Sequence, residues 1–139
     1  MTTSYFQQIK EYGRDANPFF CLMGIDITDI TDGGACLRME IRPDMLNGEG
    51  WLQGGMFTAL ADEAMVLAIY SLLTEGETMA TISETTSFMR GARDGVLIAR
   101  GTVVKKGRRV AFAEAEVCSV QVGGPVMSRT TAAFALTKA

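Results

Sequence analysis

Histidine is absent from all 139 residues. That absence excludes Ser-His-Asp and Cys-His nucleophile pairs, imidazole acid–base chemistry and His-ligated metal centres. Cysteine is scarce. Cys21, Cys36 and Cys118 form an odd, scattered set with no C-x-x-C pair, so neither a zinc site nor a disulfide framework is expected. Such thiols fit a reducing, cytoplasmic setting. There is no basic excess: 13 Lys and Arg stand against 16 Asp and Glu, which argues against non-specific nucleic-acid binding. The longest apolar run is interrupted by Asp62 and Glu63. Each would cost about 3 kcal/mol at the centre of a bilayer, so no membrane span is expected. The opening MTTSYFQQIKEY lacks the basic and apolar regions of a signal peptide. Catalysis, if there is any, must run on carboxylates, amides, hydroxyls and backbone dipoles.

What is present suits one folded domain spanning 1–139, with residues 1–16 as an N-terminal helical extension. The chain is 47% hydrophobic and 21% charged, a balance that can bury a core. The richest stretch is Met45–Met65, MLNGEGWLQGGMFTALADEAM. It joins a polar loop residue, Asn47, to a Gly54-Gly55 pair at the start of an apolar helix, with Asp62 eight residues after Gly54. A carboxylate on so apolar a helix is costly to bury unless it is paired, hydrogen-bonded or used. The first-turn N–H groups lack intrahelical partners and can hold an oxyanion or a polarised carbonyl.

Along the chain, residues 4–12 read as a short amphipathic helix ending at Gly13, and Asn17-Pro18 as a break followed by an apolar cluster. Gly24–Thr31 and Ala35–Arg42 read as two strands joined at Asp32-Gly33-Gly34. The helix from Gly54 to Leu73 is apolar nearly all round, hence buried. No second long helix follows, so a curving sheet must cover it. Segments 78–89, 95–105, 109–121 and 125–137 read as four strands in a meander, with turns at Gly91–Gly95, Lys106-Gly107 and Gly123-Gly124-Pro125. Alternation in the first places Thr81, Ser83, Thr85 and Ser87 on one face, a hydroxyl row that meets solvent or lines a site.

An α+β chain with a mostly antiparallel sheet wrapped around one long central helix is the hotdog plan. Asn47-Gly48, Gln53-Gly54-Gly55 and Leu60-Ala61-Asp62 resemble the signature of hotdog thioesterases of the phenylacetate-degradation (PaaI-like) type. Ser87-Phe88-Met89-Arg90 is similar to the strand end that precedes the next turn in that family. Where the family usually has histidine, this chain has Gln53, which can donate a hydrogen bond but cannot carry charge or shuttle a proton. The resemblance implies hydrolysis of an acyl-CoA thioester with an aromatic or medium-chain acyl group. Coenzyme A is then part of the substrate, and no separate cofactor or metal is needed.

The resemblance also assigns roles. Asp62 activates water or attacks the carbonyl, Gly54 holds the carbonyl oxygen, Asn47 belongs to the site, and Gln53 donates to the carbonyl or orients Asn47. Gly55, Thr81, Ser83, Arg90, Lys106 and Arg108 are candidate substrate contacts. It further implies a homodimer or a dimer of dimers with the site between subunits. From the residues alone, other readings stay open. Asp62 could satisfy a neighbouring strand, Glu63 could serve a salt bridge or an interface, Gly54-Gly55 could mark a tight helix start, and Asn47 could be a turn residue. The basic run Lys105-Lys106-Gly107-Arg108-Arg109 could be a solvated hairpin tip or meet phosphates, with Arg93 a further candidate. Gln53 keeps a second function in view, a non-hydrolytic acyl-CoA-binding hotdog acting as sensor or carrier. A hotdog dehydratase fits less well, because that chemistry generally relies on histidine.

Overall fold

The computed structural model describes residues 4–120 and 124–138. Helix α1 (Tyr5–Tyr12) starts from a capping box: Ser4 Oγ accepts from the Gln7 N–H and Gln7 Oε1 from the Ser4 N–H. Asn17-Pro18 does not simply break the chain. Asn17 Oδ1 accepts from the N–H groups of Phe19 and Phe20 at 2.9 and 3.3 Å, Pro18 takes the first helical position, and a second helix, α2 (Pro18–Met23), follows. Only Phe20 of the expected apolar cluster is fully buried, while Leu22 is exposed.

Six strands follow: β1 (Ile25–Thr31), β2 (Gly34–Glu40), β3 (Glu77–Phe88), β4 (Val96–Lys106), β5 (Val110–Ser119) and β6 (Val126–Lys138). They form one antiparallel sheet in the order β1-β2-β4-β5-β6-β3. The expected four-strand meander is therefore wrong at its first member. β4 to β6 do run as a meander, but β3 lies beyond β6 at the far edge. The long helix α3 (Gly54–Tyr70, 17 residues) explains this. At 1.5 Å per residue it travels about 25 Å, enough to cross four or five strands spaced about 4.8 Å apart. The chain leaves the β2 side, passes over the inner face and re-enters the sheet at the opposite edge. The turn expected at Gly123–Pro125 and the last residue expected of β5, position 121, fall wholly or partly outside the described residues.

The core is the layer between α3 and the sheet. Phe57, Leu60, Ala61, Ala64, Met65, Leu67, Ala68 and Ile69 are buried against Leu37, Met39, Leu97, Ala99, Ala113, Val117 and Phe134. The helix stops a turn before the expected Leu73. Ser71 Oγ donates to the Ala68 carbonyl at 2.6 Å and accepts from the Gly33 N–H at 2.7 Å, tying the helix end to the β1–β2 turn. Among the described residues, no helix is long and apolar enough to cross a membrane.

At Gly101 of β4 the helix and the sheet touch through their backbones. A Cβ placed there would lie 2.5 Å from the Ala64 carbonyl carbon and 2.7 Å from Met65 N, two residues from Asp62. Gly101→Ala is expected to cost at least the roughly 1–3 kcal/mol typical of overpacking, because helix backbone cannot turn aside as a side chain can. A shift of the urea midpoint measures this. An unchanged midpoint would mean that α3 does not rest on the sheet at this point.

Candidate active site

Asp62 and Thr58 are four residues apart on α3 and share the stripe that faces the inner surface of β3. Thr81 Oγ1 donates to Asp62 Oδ1 at 3.4 Å. One turn earlier, Thr58 Oγ1 donates to Thr86 Oγ1 at 2.9 Å, and Thr86 is in turn 2.9 Å from Thr130 Oγ1 of β6. Between Thr81 and Thr86 lies Glu84, on the face of β3 that looks at Asp62 and Thr58.

The hydroxyl row expected on one face of β3 is split. Pairing with β6 runs Thr81↔Phe134 and then Ser83↔Ala133, so Ile82 is an extra residue and the strand has a bulge there. Thr81 points at α3. Beyond the bulge Glu84, Thr86 and Phe88 take the inner face, while Ser83 and Thr85 line a groove on the outer face with Val104 and Phe112. The structure thus brings Thr81 to Asp62 and turns Ser83 away. Strict alternation, the only signal available in the sequence, hides this shift. It also hides Glu84, which was not among the expected site residues. The one cue is that the run Ser83–Ser87 around it offers no apolar row to pack on the helix.

Burial, the hydrogen bond to Asp62 and the Asp62 charge, followed by the charge of Glu63, push the Glu84 carboxyl up to about 7. Its Oε2 is buried without a hydrogen-bond donor. Burial first and the Asp62 charge second push Glu63 to about 7 as well. Glu63 occupies a different stripe of α3, close to Tyr5 of α1 and to Tyr70, whose phenols it helps to push up. Both acids therefore hold their protons more tightly in the folded chain than in the unfolded one. From about pH 4.5 to 7 the native state binds the extra protons, and the contribution of these groups to stability falls as pH rises; above about 7 it levels off. Glu63→Gln removes its share, so stability at pH 8 is expected to rise by on the order of 2 kcal/mol. Urea midpoints at pH 5 and pH 8 give the measurement, and equal midpoints for both proteins at pH 8 would rule out a buried Glu63.

The other end of α3 is built for a different task. Gln53 is the N-cap but places no side-chain acceptor on the first turn, leaving the Gly54 and Gly55 N–H groups open to an incoming oxygen. The glycines are not demanded by packing in this chain. A Cβ at Gly55 meets nothing within 4 Å, and one at Gly54 makes only ordinary contact with the Phe88 ring at 3.5 Å. Asn47 Oδ1 accepts from the N–H groups of Glu49 and Trp51 at 2.9 and 3.1 Å, folding the loop that leads into the helix. Its side-chain oxygen is a turn former, and its exposed amide remains a donor.

The expected phosphate contacts are dispersed. Lys106 Nζ lies 3.1 Å from Glu77 Oε1, and Glu77 is held down to about 2 by the Thr74 N–H, the Thr74 hydroxyl and Lys106. Arg108 is exposed on the β4–β5 turn. Arg90 lines a shallow cleft with Trp51 and Arg93, whose guanidinium stacks 3.9 Å from the indole centroid. None of Lys106, Arg108 and Arg90 approaches Asp62 through any hydrogen bond or ion pair among the described residues.

A hotdog domain with an acid at the middle of its helix and uncapped N–H groups at the helix start has the equipment of a thioester hydrolase. Comparison with known proteins gives the same class. Residues 49–125, more than half of the chain, match the thioesterase superfamily, and the chain belongs to it. It is 29% identical over 100 residues to the acyl-coenzyme A thioesterase PaaI of Escherichia coli, covering 71% of this chain and 69% of that protein. Among solved structures it is similar to a thioesterase family protein from Silicibacter pomeroyi, with a TM-score of 0.86, 22% identity and coverage of 98% of this chain and 100% of the other. It is also similar to a variant of the phenylacetic acid degradation protein PaaI of Thermus thermophilus, with a TM-score of 0.78, 27% identity and coverage of 86% and 98%. The hotdog fold and an enzyme that hydrolyses thioesters are thereby established.

Proposed function

We propose that the substrate is an acyl-CoA thioester with an aromatic or medium-chain acyl group, and that the site is completed by a second copy of the chain. The observation that carries the second point is a distance. Gly54 and Asp62 are eight residues apart on one helix, about 12 Å along its axis, too far to act on one carbonyl. A pair of protomers solves this if Asp62 of one faces Asn47, Gln53 and Gly54 of the partner subunit. β3 is an edge strand with one side unpaired, and Ile82, Phe88 and Met89 on or beside it are exposed. Joining two such edges closes both. A dimer of dimers would then bury the outer sheet face as well.

In this reading the thioester carbonyl accepts from the N–H groups at Gly54-Gly55, with Gln53 and Asn47 donating nearby. Asp62 takes a proton from water as the water oxygen bonds to the carbonyl carbon. The C–S bond then breaks and coenzyme A leaves as a thiolate. Attack by Asp62 itself, through a mixed anhydride that water cleaves, gives the same products. A thiolate is a good leaving group, so the chemistry needs no strong acid, and Gln53 in place of histidine is compatible with turnover. The E. coli relative's acyl-coenzyme A activity supports the substrate class. The free thiols of Cys21, Cys36 and Cys118 fit a reducing cytoplasm.

Thiol release from a panel of aryl- and alkyl-CoA thioesters tests the reading, and turnover of some members is the expected result. CoA esters bound without turnover across the panel would favour the sensor or carrier that Gln53 keeps in view.

A further inference from the structure

Two carboxylates cannot hydrogen-bond to each other; two carboxyl groups can do so only by sharing a proton. Glu84 stands opposite Asp62 across the gap between β3 and α3, between Thr81, which bonds to Asp62, and Thr86, which bonds to Thr58, and burial and the Asp62 carboxylate together push its own carboxyl up. We propose that Glu84 is a positioning residue for the hydrolysis, holding a proton that it donates to Asp62 and so fixing the Asp62 carboxylate for its work on water. The inference rests on the thioesterase reading above and assigns the proton-holding part of the site to a residue on β3.

The geometry supports this from three sides. The bulge at Ile82 puts Thr81 and Glu84, three residues apart, on the same face, so Asp62 receives a hydroxyl from one and a carboxyl from the other. Glu84 Oε2 is buried and receives no hydrogen bond among the described residues, which suits a neutral acid far better than an anion. Among the described residues, no Lys or Arg bonds to it or forms an ion pair with it. Asp62 faces it from α3, the Glu63 charge acts on it from the neighbouring stripe of the same helix, and its partner on β6 is Ala132. An ionised Glu84 would confront two acids with no cation to offset them.

Protons balance over the cycle. Water gives one proton to Asp62 as its oxygen bonds to the acyl carbon. Asp62 passes that proton to the departing thiolate or to solvent, and the proton on Glu84 is neither gained nor lost. Glu84 keeps the carboxylate aimed, in a chain with no histidine to share the work.

The test is the pH profile of kcat/KM for the unmodified protein, Glu84→Gln and Glu84→Leu, with Glu63→Gln as control. For the unmodified protein, activity should fall as pH rises through about 7, where Glu84 loses its proton. Glu84→Gln keeps a permanent donor, so that alkaline limb should disappear and the variant should exceed the unmodified protein at pH 8. Glu84→Leu removes the donor and should lose about tenfold or more at pH 5–6, where the unmodified Glu84 holds its proton, with the gap closing above about 7. Glu63→Gln should retain the limb. If the limb survives in Glu84→Gln, or if Glu84→Leu is as active as the unmodified protein at pH 5–6, the proposal is wrong. A second readout does not depend on turnover. The carboxyl carbon of Glu84, followed by NMR, should titrate near 7 and move down in Asp62→Asn. Normal titration of Glu84, unmoved by Asp62→Asn, would overturn the inference whatever the enzyme does. Absence of turnover with the shifted titration intact would overturn the proposed acyl-CoA substrate class and leave the shared proton standing.

Discussion

Asp62→Asn is expected to lower kcat for thioester hydrolysis by about 10²–10⁴-fold with little change in KM. The substitution is nearly isosteric and its amide oxygen can still accept from Thr81, so the loss reports the missing base or nucleophile and not a rearranged pocket. The fold should not suffer. Asp62 is one cause of the raised values at Glu63 and Glu84, and its removal lets both titrate closer to their ordinary range. Stability at pH 8 should therefore be equal or higher, which separates catalytic loss from unfolding. Steady-state kinetics with a urea titration on the same sample decide the matter. Turnover that survives would transfer the role to another carboxylate, with Glu84 and Glu63 the ones to test.

Gly54→Pro should reduce kcat by about 10²–10³-fold, the usual consequence of losing one oxyanion donor. Gly54 is the first residue of α3, a position where proline is well tolerated because no intrahelical bond uses its N–H. Gln53 before it already has the extended backbone, φ −56° and ψ 128°, that a residue preceding proline requires. The substitution therefore deletes one hydrogen-bond donor while leaving the helix in place. Gly54→Ala is the companion variant, since it keeps the N–H and adds a Cβ only in ordinary contact with Phe88. If the proline variant turns over as fast as the alanine variant, the oxygen is held elsewhere. Unchanged circular dichroism in both would confirm that α3 still starts at this point.

The central helix and its chemistry were legible in the sequence because both are local. The run from Gly54 to Tyr70 is apolar on nearly every side, and the strands on either side alternate. What escaped was set by distant partners or by a change of phase. Nothing in residues 77–88 says that their neighbour is β6 and not β4; the length of α3 decides that. Asn17-Pro18 was legible as a break, but the same two residues are also a cap and a first helical position, and the hydrogen bonds of Asn17 choose between the roles. Leu72 and Leu73 continue the apolar run, yet Ser71 ends the helix by bonding to a turn far earlier in the chain.

The extra residue at Ile82 has a consequence for anyone recombining this chain with its relatives. β3 is two half-strands read in different frames, odd-numbered positions facing α3 before the bulge and even-numbered ones after it. A donor strand without the extra residue, spliced in across position 82 at equal length, would present the wrong row to Asp62 and bring hydroxyls or exposed polar groups where an acid, a threonine and a phenylalanine now stand. Crossover points in such chimeras belong on either side of Thr81–Ser83, with the bulge inherited whole from one parent.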